Sequence, residues 1–123
     1  DFVNSIEVLD KSIELNPLDP KLMDRKVNYF FIYIGQKDYQ KAYEIIEEVL
    51  EEIPNSGSYK GFKASVMGYL NKGNEAKKAL DEYLKLRPNL KTRDDFKKIF
   101  VPNSYLGDIL IEGFIKAGWE PEN

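Results

Sequence analysis

What most restricts how this chain can fold is a helix ending written twice, 34 positions apart. Residues 40 to 55 read QKAYEIIEEVLEEIPN, and residues 74 to 89 read NEAKKALDEYLKLRPN. In each, an alanine (Ala42, Ala76) sits in the first turn and apolar residues follow at helical spacing. A Pro-Asn pair headed by Pro54 or Pro88 then stops the run. A recurring unit of this size is one helix–turn–helix hairpin, which cannot bury its apolar face alone and therefore stacks on its neighbours. No stretch alternates apolar and polar residues with a period of two over useful length, so no sheet is expected. The reading is all-α, in one domain of 123 residues.

Punctuation residues divide the rest. A helix is expected from Phe2 to Leu15, with Ile6, Leu9 and Ile13 on one face and Asn16-Pro17 as its stop. Asp19-Pro20 reads as an N-cap with proline at the first helical position, opening a helix that runs to Ile34 and ends at Gly35. Asp38 caps a helix reaching Ile53. Ser56 or Ser58 opens the next, which ends near Lys72-Gly73, and Asn74 caps another that stops at Arg87. Thr92 and Asp95 form a capping box for a short helix to Phe100. The last helix starts at Pro102-Asn103-Ser104 and carries Leu106, Ile109, Leu110 and Phe114 on one face. Gly118 ends it, with Trp119 turning back onto Phe114. Connections of about two to six residues predict antiparallel neighbours.

The 34-residue period and the residues on it resemble the tetratricopeptide repeat (TPR) family. Residues 19–56 supply Tyr29, Phe30 and Tyr33 at the large apolar places of a first helix, the turn KDYQKA, Ala42 at the small position, then Ile46, Val49 and Pro54. Residues 57–90 supply Phe62, Tyr69, Gly73, Ala76, Leu80, Tyr83 and Pro88, with a turn two residues shorter than the family's. Residues 1–18 match a second half-repeat, with Phe2, Ser5, Ser12 and Pro17. The resemblance implies a right-handed superhelix of antiparallel hairpins over residues 1 to 90. Independently of it, residues 92–118 should form a capping hairpin. The closing segment from LRPN to EGFIKAG is also similar to the ends of bacterial proteins in which repeats follow a nucleotide cyclase or a transcriptional regulator domain. Since the chain starts DFVNS, without Met or a leader, it is expected to be a C-terminal piece of a longer, cytoplasmic protein.

Composition narrows the chemistry. The chain has no His and no Cys, which removes the commonest general base, the commonest nucleophile and the best transition-metal ligands. No glycine-rich phosphate cradle follows a strand. Glu44, Glu47, Glu48, Glu51 and Glu52 share a helix side but lack calcium-loop spacing, so they read as solvated surface. Neither an enzyme nor a cofactor or metal site is expected. A net charge of −3 argues against a nucleic-acid binder, and the longest apolar run, YFFIYI, is too short for a membrane span. Charge is unevenly spread, however. Residues 1 to 56 hold 6 Lys/Arg against 12 Asp/Glu, whereas residues 57 to 100 hold 11 against 5. That basic middle reads either as a solvated lysine-rich face or as a surface suited to an acidic peptide or neighbouring domain.

The expected function is a protein–protein interaction module. In repeat arrays of this kind first helices line a concave groove, which here assigns Asp24, Val27, Phe31 and Ile34 from one unit. The next contributes Lys60, Lys63, Met67 and Asn71, whose lysines suit a peptide carboxylate. Two further readings are an intramolecular regulatory domain of a cyclase or regulator, and self-association through the exposed face of the first helix.

Overall fold

The computed structural model describes residues 22–99 and 104–122, with side chains described for 25–99 and 105–122. Expectations for Phe2 to Leu15, for the cap at Asp19-Pro20 and for the face of the first helix lie outside the described residues. Six α-helices follow in order: α1 (Leu22–Gly35), α2 (Tyr39–Glu52), α3 (Gly57–Tyr69), α4 (Asn74–Leu86), α5 (Arg93–Ile99) and α6 (Ser104–Ala117). Among the described residues no strand forms, and an isolated backbone bridge joins Thr92 to Glu122. The expectation of an all-helical chain is met. It divides into two compact units, Asp1–Pro54 and Asn55–Asn123.

In the first unit α1 and α2 fold back on each other. Ala42, Ile46 and Val49 are fully buried, a stripe at i, i+4 and i+7 that faces one direction from α2. From α1, Val27, Tyr29, Phe30 and Ile34 are buried. Tyr33, expected in the core with them, is only half-buried, with its ring 6.3 Å from that of Tyr29. The turn closes by two backbone bonds, Lys37 N to Ile34 O and Asp38 N to Tyr33 O, both 2.9 Å. This is the Schellman pattern, and Lys37 occupies its left-handed position at φ 62°. Asp38 then starts α2, its carboxylate accepting from Lys41 N at 3.2 Å as the expected N-cap.

The second unit begins at Ser56, whose hydroxyl accepts from Tyr59 N and caps α3. Here the expected boundaries shift. Helix α3 ends at Tyr69 rather than near Lys72, because Asn71 adopts φ 55° and closes another Schellman turn, Asn71 N to Gly68 O and Lys72 N to Met67 O. Gly73, not Asn74, precedes α4, without a side-chain cap. Ala76, Leu80 and Tyr83 form the buried stripe of α4, the counterpart of Ala42, Ile46 and Val49.

The capping box at α5 forms as expected. Asp95 N donates to Thr92 Oγ1 at 3.1 Å, and Thr92 N donates back to Asp95 Oδ2 at 2.8 Å. Lys91 N donates to the same oxygen, and these amides hold the Asp95 carboxyl below the usual carboxylate range. Helices α5 and α6 run antiparallel, with Arg93 beside Glu112 at 3.3 Å and Lys97 beside Asp108 at 3.2 Å. At the end of α6, Gly118 N donates to Ile115 O and Trp119 N to Phe114 O, with Gly118 at φ 118°. The Trp119 ring meets Phe114 edge-on at 5.9 Å. Phe114 also stacks on Tyr83 at 5.5 Å and takes the edge of Phe96 at 5.1 Å, so three segments far apart in sequence converge on one ring.

Candidate functional site

Helix α3 is the element that decides what the second unit can present. Its sequence, GSYKGFKASVMGY, carries three glycines, each about 1 kcal/mol poorer than alanine in a helix interior. Such a helix depends on tertiary contacts rather than on its own propensity, and two of its glycines, Gly61 and Gly68, permit close approach. A Cβ at Gly61 would stand 2.6 Å from the Tyr83 ring of α4. Two turns further along, a Cβ at Gly68 would run into the backbone carbonyl of Gly113 and stand 2.9 Å from Ala117 N. A Cβ at Gly113 would in turn collide with Ser65. Two hydrogen bonds lock this crossing: Ser65 Oγ donates to Leu110 O at 2.7 Å, and Tyr69 Oη donates to Ile109 O at 2.5 Å. Ser65 is fully buried and satisfied by that bond.

The seam was not read from the sequence, although a signal existed. Gly61, Ala64, Ser65 and Gly68 repeat at i, i+3, i+4 and i+7, and Gly113 and Ala117 repeat at i and i+4. Those spacings put small residues on one face of each helix. What the sequence cannot say is which small stripe faces which.

With that face of α3 committed, the expected binding residues sort by exposure. Met67 is 5% exposed, and Asn71 is exposed but acts as the left-handed residue that ends the helix. Lys60 and Lys63 are half-buried. Three residues apart, they lie on the same side of α3. In the first unit, Val27 and Ile34 are 8% and 1% exposed. Phe31 is half-buried, its ring edge-on to Phe30 at 5.5 Å. The Asp24 side chain lies outside the described residues. Of the eight, therefore, Phe31, Lys60, Lys63 and Asn71 have described surface to offer, while Val27, Ile34 and Met67 contribute packing.

The acidic side of α2 is open to solvent at Glu44, Glu48, Glu51 and Glu52, and half-buried at Glu47. Among the described residues no group of three or more potential metal ligands comes together, and no helix is long and apolar enough to cross a membrane. Burial pushes the Tyr83 hydroxyl up from its ordinary pKa, against the lowering effect of the neighbouring, hydrogen-bonded Arg87 guanidinium. Comparison with family models, curated proteins and solved structures returned no match to this chain.

Proposed function

We propose that this chain is a non-catalytic interaction module of TPR-like helical hairpins that binds an acidic peptide or helix on its first-helix faces. The observation that carries the reading is on α3. Its small-residue face is closed by the Tyr83 ring and by the α6 backbone, yet Lys60 and Lys63 keep part of their surface in solvent. The segment that contains them, residues 57 to 100, is the only basic part of an acidic chain, and an acidic ligand is attracted to such a surface before any contact forms. The absence of His and Cys agrees with recognition rather than acid–base or nucleophilic chemistry. On α1, Phe31 offers a half-exposed aromatic ring, the residue type enriched where a partner anchors.

The test uses the immobilised chain beside two variants, Lys60→Glu/Lys63→Glu and Phe31→Asp, each checked for helicity by circular dichroism. Proteins retained from source-cell extract are identified, and the affinity of each purified partner is measured. Loss of the charged pair should weaken capture about tenfold or more, with slower association and a reduced salt dependence. A partner bound equally by parent and lysine variant would remove the α3 face from the proposal.

A further inference from the structure

We propose a second docking site in the second unit, at the hollow between the end of α4 and α5, which takes an acidic peptide carrying an apolar side chain. The inference goes beyond the first-helix reading and stands on different residues.

The chain leaves α4 at Leu86, turns through Pro88-Asn89 with Leu90 N donating to Arg87 O, and enters α5 at Arg93. A depression of about 380 Å³ results, walled by Leu86 and Arg87 on one side and by Lys98 and Ile99 on the other. Only four large apolar side chains among the described residues are classed as exposed, and two of them line this hollow: Leu86 at 52% and Ile99 at 46%. Apolar surface left in water beside more apolar surface is what a ligand side chain removes on binding, at about 25 cal/mol per Å².

Charge selects the partner. Lys98 is attracted to the neighbouring Asp95 carboxylate, whereas Arg87, among the described residues, stands within 4 Å of no carboxylate. Arg87 is half-buried, and its Nε is buried without an acceptor, an arrangement that costs free energy until an anion or acceptor arrives. Its guanidinium is held from one side by the hydrogen bond with Tyr83, so it is already oriented. The single carboxylate in the wall, Asp95, is engaged by the amides of Lys91 and Thr92 and offsets Lys98, which leaves the charge of Arg87 uncompensated. A guanidinium without a carboxylate partner, between two exposed aliphatic side chains and beside Lys98, fits a carboxylate adjacent to a leucine- or phenylalanine-sized group. A bare inorganic anion would leave the apolar walls wet.

The experiment is fluorescence anisotropy on the whole chain, with a fluorescein-labelled peptide Glu-Leu-Glu-Glu-Phe-Glu and its isosteric control Gln-Leu-Gln-Gln-Phe-Gln. Saturable binding of the acidic peptide is expected, about tenfold weaker for the control, with amide NMR shifts at Leu86, Asn89 and Ile99. Arg87→Gln/Lys98→Gln should weaken it about tenfold, while Lys60→Glu/Lys63→Glu should leave it within about twofold, which separates this site from the α3 face. Because Arg87 also braces Tyr83, the exposed pair Lys98→Gln/Ile99→Gln is the second variant, and its loss of binding with an unchanged melting temperature is expected. No saturable binding at millimolar peptide overturns the proposal. So does binding that survives both hollow variants, or binding that inorganic phosphate displaces as well as the unlabelled peptide does.

Discussion

The hairpins α1–α2 and α3–α4 share a spacing and a stripe, yet they are built from opposite materials. Ala42, Ile46 and Val49 match Ala76, Leu80 and Tyr83 position for position. The first helices differ: α1 brings Tyr29, Phe30, Phe31 and Tyr33, whereas α3 brings Gly61, Ala64, Ser65 and Gly68. For α3 the reason is what packs on it. Along one face, helix α3 receives the Tyr83 ring of α4 at Gly61 and the backbone of α6 at Gly68, and only residues without bulk allow both. A hairpin's second helix can thus be written by period alone, while its first helix is written by what else must reach it.

That comparison can be broken most directly at Gly68. Replacing it with alanine places a methyl against the Gly113 carbonyl and the Ala117 amide, both backbone atoms that cannot rotate away. A loss of about 3 kcal/mol or more is expected, at the upper end for overpacking. The reverse change in the other hairpin, Ala42→Gly, should cost only about 1 kcal/mol beyond its lost methyl contacts. Urea unfolding measures both, with the single tryptophan, Trp119, reporting on the second unit and circular dichroism on the first. Equal, small losses would mean that α3 and α6 do not touch as described.

A smaller effect sharpens the account of Gly61. Gly61→Ala gains helix propensity but drives a methyl towards the Tyr83 ring, which is buried and stacked on Phe114, so a net loss of about 1–2 kcal/mol is expected. In Gly61→Ala/Tyr83→Leu the two costs should fall short of additive by about 1 kcal/mol or more, as contacting sites do. Additive costs in that cycle would separate the two residues.

The smallest effects concern the two turns, where Lys37 and Asn71 both hold left-handed backbone. Lys37→Gly should stabilise by about 0.5–1 kcal/mol, because glycine adopts that conformation without a Cβ penalty. Asn71→Gly should gain less, since asparagine tolerates the region better than lysine. A larger gain at Asn71 than at Lys37, read from thermal unfolding, would reverse this ranking. It would also return Asn71 to consideration as a residue kept for binding rather than for its turn.

Local signals were legible where cause and effect lie within one turn of chain. The caps at Asp38 and Ser56, the Thr92–Asp95 box, and the Gly118–Trp119 return onto Phe114 all follow from residues three to five positions apart. The misplaced end of α3 has a similar scale but competing solutions: asparagine serves either as an N-cap or as a left-handed stop, and the chain uses Asn71 for the latter, leaving Asn74 inside α4. Of the candidate binding residues, the lysines were legible as cations on one helix side. The exposure of Val27, Ile34 and Met67 was not, because an apolar residue has the same letter in a groove and in a core.

The sequence by itself determined that this protein is helical, where most of its helices begin and end, and which stripe of each second helix is buried, since these depend on periodicity and capping among near neighbours. Only the tertiary structure decided that Ser65 and Gly68 receive Leu110 and Gly113, and that Arg87 lines a hollow between Leu86 and Ile99 without a carboxylate partner. Close approach and unpaired charge are properties of two surfaces meeting. A glycine or an arginine carries no mark of the distant segment it will meet.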